Sequence, residues 1–479
     1  MPVVTDNRMS YGSLCVVAMT ALALMAFVWS PGASEYPLAA LGILAFLFVQ
    51  AFLPACRIRM SIPVCPVNIA QGYFWIQLVL VTVLVGYFDF SQGTLPYLPS
   101  KGAIDLAIIV QVIAYLSFCG AYQYFARESV RRALPYASPP GAAYLIVPFL
   151  VLGLLGFLLA YGGVAGFVEY LSSPMEQRRR AEEVATVYGV AGTFLKHFLG
   201  FAAVLAWSWW LGRAARTKSS MIAMSAGVLV VLLVSNFSYN RGSMLGPIIG
   251  LAAAFSVHVW RLPFKALILA SVLALSVAYT FGWYRSTDLG IAEVSVSGAA
   301  GTWNVEEVVE FVQIYASAPQ MSAYLIESLE GKFYYGETLL ASLVYPIPVL
   351  GKPYRDRSGT VIFNELIYGD PDTALDQIIP QNGELYMNFY LIGVVLGNVL
   401  LGGFLALLQS KFAAARTAVE SYAWVMLALW SVFPGSLSVA SQIYVYTFWP
   451  IYSYFAVTHL WSWHFTSRSY RHPTAVKYS

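Results

Sequence analysis

Apolar runs of about twenty residues recur along almost the whole chain, and each is long enough for a helix to cross about 30 Å of hydrocarbon. Inside a bilayer every backbone polar group needs an internal partner, so only helices and closed barrels can span it. The composition agrees, because 59% of the 479 residues are hydrophobic and only 11% are charged. A soluble domain has roughly a quarter of its residues charged. The sequence therefore predicts an all-α, polytopic integral membrane protein.

The runs define about twelve predicted transmembrane helices. They cover residues 11–30, 36–56, 69–90, 104–125, 142–161, 191–211, 219–237, 243–260, 264–284, 383–409, 420–434 and 440–463. The predicted organisation is nine helices within 1–284, a large loop over 285–381, three helices within 382–463 and a tail over 464–479. The first run is longer than the apolar part of a signal peptide and no convincing cleavage site follows it, so we expect it to remain as the first span.

Lysine and arginine in the short loops predict the orientation, since they concentrate on the cytoplasmic side of a membrane. With twelve spans, one side receives Arg8, Arg57, Arg59, Arg127, Arg131, Arg132, Arg213, Arg216, Lys218, Arg261, Lys265, Lys411, Arg416, Arg468, Arg471 and Lys477. We therefore expect both termini in the cytoplasm and the large loop outside, in the periplasm of a bacterial inner membrane. The net charge of +3 reflects this bias and does not indicate nucleic-acid binding.

The large loop is acidic, with thirteen acidic and five basic residues between Arg285 and Pro380. Glu306 and Glu307 follow Asn304, a residue that caps helices well, and valines recur on one face after them. This pattern predicts an amphipathic helix resting on the bilayer or on the transmembrane helices. The apolar stretch 339–350 is too short to span and is broken by Pro346 and Pro348, which predicts an interfacial or re-entrant piece.

Few basic residues are predicted to lie outside, so each needs a reason. Arg241 lies in a tight turn between two spans, and Arg285 ends the next span, at a similar predicted depth. A guanidinium there offers a planar, permanently charged fork to a phosphate. Lys352, Arg355 and Arg357 form a second basic group within one short segment. The alternative is that these side chains pair with lipid headgroups or with carboxylates of the loop.

A third basic group, Arg178, Arg179 and Arg180, lies in the loop between the fifth and sixth spans. It is followed by Glu182 and Glu183, with which it can pair along a solvated helix. The other interpretation is a second site for an anion or a glycan.

Glu384 begins the tenth span, and Tyr386 and Asn388 follow it. A carboxylate partly removed from water at a membrane boundary is a candidate general base. The alternative is a glutamate that stabilises the start of its helix.

Other chemistry finds little support. The four cysteines have no zinc-ligand spacing, so we interpret them as small buried side chains. Asp370 and Asp372 match a metal-binding Asp-x-Asp motif, but an Asp–Pro pair usually marks a turn. Lys196 and His197 are interpreted as a lysine that reaches towards water beside a packed histidine, with a catalytic histidine as the alternative. We expect no catalytic metal and no cofactor.

These residues resemble the Wzy-type polymerases of lipid-linked oligosaccharide repeat units. The resemblance lies in Tyr239-Asn240-Arg241-Gly242-Ser243 at the start of a span, the large loop before the last three spans, Gly351-Lys352-Pro353 after two prolines, and Gly383-Glu384-x-Tyr386-x-Asn388-Phe389. The spacing from Arg178 to Gly189 also fits the family. The resemblance covers about residues 235–410 at the level of motifs and the whole chain at the level of topology. The family commonly has glycine after the Asn-Phe pair, where this chain has Tyr390.

The resemblance implies a metal-independent membrane glycosyltransferase that takes a growing glycan from undecaprenyl diphosphate to a sugar hydroxyl of another lipid-linked unit. It implies Arg241, Arg285, Lys352, Arg355 and Arg357 at the lipid diphosphate. It also implies Glu384 as the base, and glycan or anion contacts from Arg178, Arg179, Arg180, Tyr386 and Asn388. The implied partners are the lipid-linked donor and acceptor, membrane lipids, a chain-length regulator and a flippase.

Three alternatives remain open. An O-antigen ligase has the same topology and donor, but its acceptor is a lipid core sugar. A glycosyltransferase that adds single residues needs a metal and an early carboxylate motif. A secondary transporter needs inverted repeats with broken helices at the midplane, and it leaves the large loop unexplained.

Overall fold

A computed structural model of the chain describes residues 11–59, 62, 64–93, 95–126, 136–139, 141–172, 187–213, 217–236, 241–260, 305–316, 319–347, 350–369, 379–432 and 437–469. All regular structure in these ranges is helical, which confirms the predicted all-α class for this part of the chain. The α-helices are α1 (Tyr11–Val28), α2 (Ala40–Phe52), α3 (Pro66–Trp75), α4 (Val81–Phe88), α5 (Lys101–Phe125), α6 (Ala142–Tyr161), α7 (Val164–Ser172), α8 (Val187–Leu211), α9 (Lys218–Ser235), α10 (Arg241–His258), α11 (Val305–Tyr315), α12 (Pro319–Ser328), α13 (Glu337–Val344), α14 (Gly359–Tyr368), α15 (Gln381–Ala414), α16 (Ala418–Val432), α17 (Leu437–Tyr446) and α18 (Trp449–Ser469).

Within the described residues, seven helical segments are long and apolar enough to cross a membrane, which indicates a membrane protein. They are Tyr11–Val28, Pro66–Phe88, Lys101–Phe125, Ala142–Tyr161, Ala191–Leu211, Lys218–Ser235 and Gln381–Ala414. Shorter apolar helices at Pro37–Phe52, Leu245–His258 and Ala418–Val432 cover parts of three more predicted spans.

The structure gives different results for the two remaining predicted spans. The span predicted at 264–284 lies outside the described residues. The span predicted at 440–463 is divided, because α17 ends at Tyr446 and α18 begins at Trp449. The count of twelve spans and the external side of the large loop therefore stay predictions.

The chain forms two compact units. Unit 1 comprises Met1–Leu134, Trp260–Ala415 and Glu420–Ile443, and unit 2 comprises Pro135–Val259, Arg416–Val419 and Tyr444–Ser479.

The centre of unit 1 is the pair α5 and α15. The two helices lie so close that a Cβ atom added to Gly402 would come within 2.3 Å of the Phe118 carbonyl oxygen. Small residues allow such close approach between membrane helices. A buried apolar cluster on this pair includes Leu385 and Val394 of α15 together with Leu325 of α12 and Phe363 of α14. The helices of the large loop therefore share a core with the long helices.

Helix α11 confirms the amphipathic helix predicted after Asn304, which itself lies outside the described residues. It is attached to the segment that contains α3, a π-helical turn (Ile76–Leu80) and α4. Gln77 in the turn donates its side-chain N–H to the Ala316 carbonyl at 2.9 Å. Gln313, fully buried, donates to the Asp89 carbonyl at 2.9 Å and accepts from the Ser91 N–H at 2.8 Å. Within unit 1, these bonds hold α11 against the π-helical turn and the residues that follow α4.

Unit 2 is built on the close packing of α6 and α8. A Cβ atom at Gly153 would lie 2.2 Å from the Leu199 nitrogen, and one at Gly156 would lie 2.3 Å from the Lys196 nitrogen. Gly192 approaches the Ala160 nitrogen in the same way, at 2.6 Å. The glycines thus fix the part of α8 around residue 196 against the end of α6.

Candidate functional site

Glu384, in the first turn of α15, joins several elements of unit 1. Its side chain is completely buried. Oε1 accepts a hydrogen bond from the Ser342 hydroxyl of α13 at 2.7 Å, and Oε2 accepts one from the Leu437 N–H at the start of α17 at 3.2 Å. A Cβ atom at Gly359, the first residue of α14, would lie only 2.7 Å from Oε1. The carboxylate therefore fills a closed space between four helices.

Asn388, one turn further along α15, holds the beginning of α13. Its side-chain nitrogen donates to the Thr338 hydroxyl at 2.5 Å and to the Glu384 carbonyl at 2.7 Å. Its side-chain oxygen accepts from the Gly336 N–H at 3.0 Å. Gly336 has a φ of 92°, a conformation that costs glycine little. With its donors and its acceptor engaged, Asn388 anchors the insert, a name we use for described residues 305–316, 319–347 and 350–369.

Sequence reasoning identified Glu384 and Asn388 but missed their partners. The signal was present in α13, where Thr338 and Ser342 are polar residues four positions apart in an apolar segment. That spacing places them on one face of a helix, and both are buried. The predicted break of this apolar stretch at Pro346 is confirmed, since α13 ends at Val344, while its interfacial or re-entrant placement stays a prediction.

Helix α15 is kinked just after Asn388. Phe389 has φ −140° and ψ 22°, and Tyr390 has φ 56° and ψ −151°, both outside the helical region. A positive φ is unusual for a bulky residue and normal for glycine. The backbone at Tyr390 therefore has a conformation that glycine would adopt at much lower cost. In this chain the Tyr390 ring packs on Tyr386, with centroids 4.7 Å apart, and edge-on against Phe333.

The kink also depends on Gly393, and this yields a prediction. A Cβ atom there would lie 2.4 Å from the Leu385 carbonyl oxygen, which is backbone and cannot rotate away. We expect Gly393→Ala to lower the free energy of unfolding by about 1–3 kcal/mol, the usual cost of overpacking. The matched control is Gly120→Ala in α5, where no heavy atom lies within 4 Å of the new Cβ. It should be neutral or stabilising, by up to about 1 kcal/mol of helix propensity. Thermal unfolding of the two purified variants in detergent measures this, and equal midpoints would contradict it.

The basic segment of the insert forms a short 3-10 helix, Lys352–Arg357, between α13 and α14. The guanidinium of Arg357 is 2.9 Å from the Glu337 carboxylate, and the two side chains are 65% and 50% exposed. Such a surface pair contributes about 0–1 kcal/mol, so Arg357 can exchange Glu337 for another anion at little cost. The backbone of Lys352 and Arg355 is described, and their side chains lie outside the description.

The other residues predicted to bind an anion lie either in unit 2 or outside the described residues. Arg241 is the first residue of α10 in unit 2, with its side chain not described. Arg285, Arg178, Arg179 and Arg180 lie outside the described residues, as do Asp370 and Asp372. The predictions for all of these residues stay predictions.

Near α10, unit 2 contains further polar contacts. The Lys196 ammonium donates to the Tyr161 hydroxyl at 3.2 Å. His197 Nδ1 lies 3.0 Å from the Asn236 side-chain oxygen. Asn236 follows α9, and Arg241 comes five residues later. The ends of α6 and α9 thus meet the same part of α8.

A cavity in unit 1 has a volume of about 520 Å³, within the ~300–1,000 Å³ typical of ligand sites. It lies between the chain after α1, the end of α4 and the start of α11. Its polar lining includes Glu35, Asp89, Glu306, Glu310 and Gln313, and its apolar lining includes Tyr87 and Phe88. Carboxylates and amides can accept hydrogen bonds from hydroxyl groups, and an aromatic ring offers a flat apolar face.

Comparison of the chain with protein-family models, with curated proteins and with solved structures found no match.

Proposed function

We propose that the protein polymerises lipid-linked oligosaccharide repeat units at the outer face of the bacterial inner membrane. A glycan leaves undecaprenyl diphosphate and is joined to a sugar hydroxyl of another lipid-linked unit. The donor carries its own leaving group, so the reaction needs no nucleotide sugar, and we propose that it needs no metal. Basic side chains then supply the positive charge where the diphosphate develops negative charge.

The observation that carries the proposal is how the insert is attached. The segment Gly383-Glu384-x-Tyr386-x-Asn388, which bears the family resemblance, is also the segment to which α13 and α17 are hydrogen-bonded and against which Gly359 of α14 packs. A loop that only links two spans needs no such buried polar anchors. A loop that aligns two large substrates does, because orientation of the reacting groups is a major part of catalysis. The same segment therefore contacts both helices that flank Lys352–Arg357, α13 through hydrogen bonds and α14 through the close packing of Gly359.

Two further features support a substrate that is partly lipid and partly sugar. On α13, Leu340 and Leu343 are 54% and 59% exposed, which suits contact with lipid. The cavity of about 520 Å³ offers hydrogen-bond acceptors beside aromatic rings, which suits sugar hydroxyls and ring faces. An O-antigen ligase uses the same donor chemistry, so the test must distinguish a ligase from a polymerase.

Deletion of the gene in its own bacterium tests the proposal, with surface glycans separated on a gel. For a polymerase, we expect single repeat units on the lipid core in place of the ladder of long chains, and the ladder should return with a plasmid copy. For a ligase, the lipid core should carry no repeat units at all. An unchanged ladder in the deletion strain would exclude both functions.

A further inference from the structure

The pair His197 and Asn236 in unit 2 has a defined hydrogen-bond direction. The Asn236 side-chain nitrogen donates to the Leu232 carbonyl at 2.9 Å and to the Ser235 hydroxyl at 3.1 Å. Its oxygen is therefore the atom that faces His197 Nδ1, at 3.0 Å. Because an amide oxygen can only accept, Nδ1 must carry the proton. A neutral imidazole with its proton on Nδ1 has its lone pair on Nε2.

The surroundings hold this pair in place. Asn236 is 6% exposed, and its position at the end of α9 is fixed by the two bonds that it donates. Gly200, one turn after His197 in α8, makes the room. A Cβ atom there would lie 2.5 Å from the Ser235 hydroxyl oxygen and 3.3 Å from the Asn236 side-chain nitrogen. A histidine that is oriented through one ring nitrogen, with the other left as an acceptor, is arranged as a general base.

The pair also lies close in sequence to the predicted diphosphate site. Only four residues separate Asn236 from Arg241, the first residue of α10. His197 is half-buried, and among the described residues no hydrogen-bond partner is found for its Nε2. Glu384 differs from His197 in its exposure and in its hydrogen bonds. It is fully buried, and each of its carboxylate oxygens accepts a bond.

We propose that His197 is the general base that activates the acceptor hydroxyl, with Asn236 as its positioning residue. This inference rests on the proposed polymerase function. Nε2 takes the proton of the acceptor O–H as that oxygen forms a bond to the anomeric carbon of the donor glycan. The bond from that carbon to the diphosphate oxygen breaks, and its electron pair stays on the lipid diphosphate. The imidazolium then returns its proton to water.

The decisive variant is His197→Asn. Its side-chain amide nitrogen takes the place of Nδ1 and can still donate to Asn236, whereas no atom replaces Nε2. We expect a loss of about 10²–10⁴ in polymerisation, the usual contribution of a general base. The matched control is His459→Asn at an exposed position of α18, which should leave the glycan ladder unchanged. Both variants are expressed in the deletion strain, and the amount of protein in the membrane is measured.

A binding measurement separates a catalytic from a structural role. Full-length protein in lipid nanodiscs is titrated with undecaprenyl diphosphate. We expect His197→Asn to bind it as the unmodified protein does while the strain shows single repeat units. A normal ladder, or a loss of polymer that follows a loss of diphosphate binding, would overturn the role of His197. If His197→Asn does not accumulate, His197→Gln is judged by the same criteria.

Asn236 gives an independent test of positioning. Asn236→Asp keeps an oxygen that accepts the Nδ1 proton but loses the two bonds that Asn236 donates, so it should shorten the chains less than Asn236→Leu does. Asn236→Leu removes the acceptor and should shorten the chains with diphosphate binding unchanged. Equal ladders from these two variants would contradict the positioning role. If the deletion strain loses its polymer but His197→Asn gives a normal ladder, the polymerase function is retained. In that case only the role of His197 is contradicted.

Discussion

Replacement of Glu384 by alanine is expected to lower the free energy of unfolding by about 2–6 kcal/mol, because each buried donor left without an acceptor costs about 1–3 kcal/mol. Two donors lose their acceptor, the Ser342 hydroxyl and the Leu437 N–H. The insert should loosen from α15, and polymer should be lost together with the folded protein. Thermal unfolding of the purified variant and a gel of surface glycans measure the two effects.

Glu384→Gln is the variant that separates anchoring from catalysis. The amide oxygen can accept from the Leu437 N–H, and the amide nitrogen can donate to the Ser342 hydroxyl, which is also able to accept. We therefore expect stability within about 1 kcal/mol of the unmodified protein, the net value of one hydrogen bond, and a retained ladder. The sequence alone predicts the opposite, with Glu384 as the base. Single repeat units from a stable, normally expressed Glu384→Gln protein would restore that role and contradict anchoring alone.

Arg241→Lys is expected to shorten or abolish the polymer while the protein still folds. Lysine keeps the positive charge but loses the planar fork that engages two phosphate oxygens. Removal of one donor from a site of developing charge typically costs about 10²–10³ in rate, and lysine should recover part of this. Arg285→Lys should behave alike if both arginines hold the same diphosphate. Polymer length on a gel, normalised to protein in the membrane, measures the effect.

A matched arginine serves as the control for Arg241. Arg213 follows α8 in unit 2, and its guanidinium lies 3.7 Å from the Trp209 ring centroid. Its predicted location is cytoplasmic, so Arg213→Lys should leave the polymer unchanged. Normal polymer from Arg241→Lys and Arg285→Lys would remove both arginines from the diphosphate site. Equal losses from Arg213→Lys and Arg241→Lys would show that the substitution acts through the fold instead.

The long helices were predictable because their apolar runs have the length of a span. The end of α13 was predictable too, since Pro346 breaks the helical pattern after it. The kink was not, because Tyr390 gives no sign of a positive φ, a conformation that bulky residues rarely adopt.

The roles of polar residues were harder to predict than their positions. Glu384 stands out in the sequence, yet its partners Ser342 and Leu437 are 42 and 53 residues away along the chain. Likewise, His197 meets Asn236 across 39 residues. A single sequence gives no distance between such pairs, so it cannot tell a solvated carboxylate from a buried anchor. It also cannot tell a packed histidine from one with a fixed tautomer.

The kink in α15 has a consequence for the membrane around the protein. At 1.5 Å per residue the 34 residues of α15 would extend about 51 Å, far more than the ~30 Å hydrocarbon core. Residues 391–414, after the kink, account for about 36 Å of this length. In a thinner or thicker bilayer, residues 391–414 alone can change their tilt and so match the thickness of the hydrocarbon core. Residues 381–388 keep their bonds to the insert when this tilt changes. Their position therefore does not depend on the length of the acyl chains.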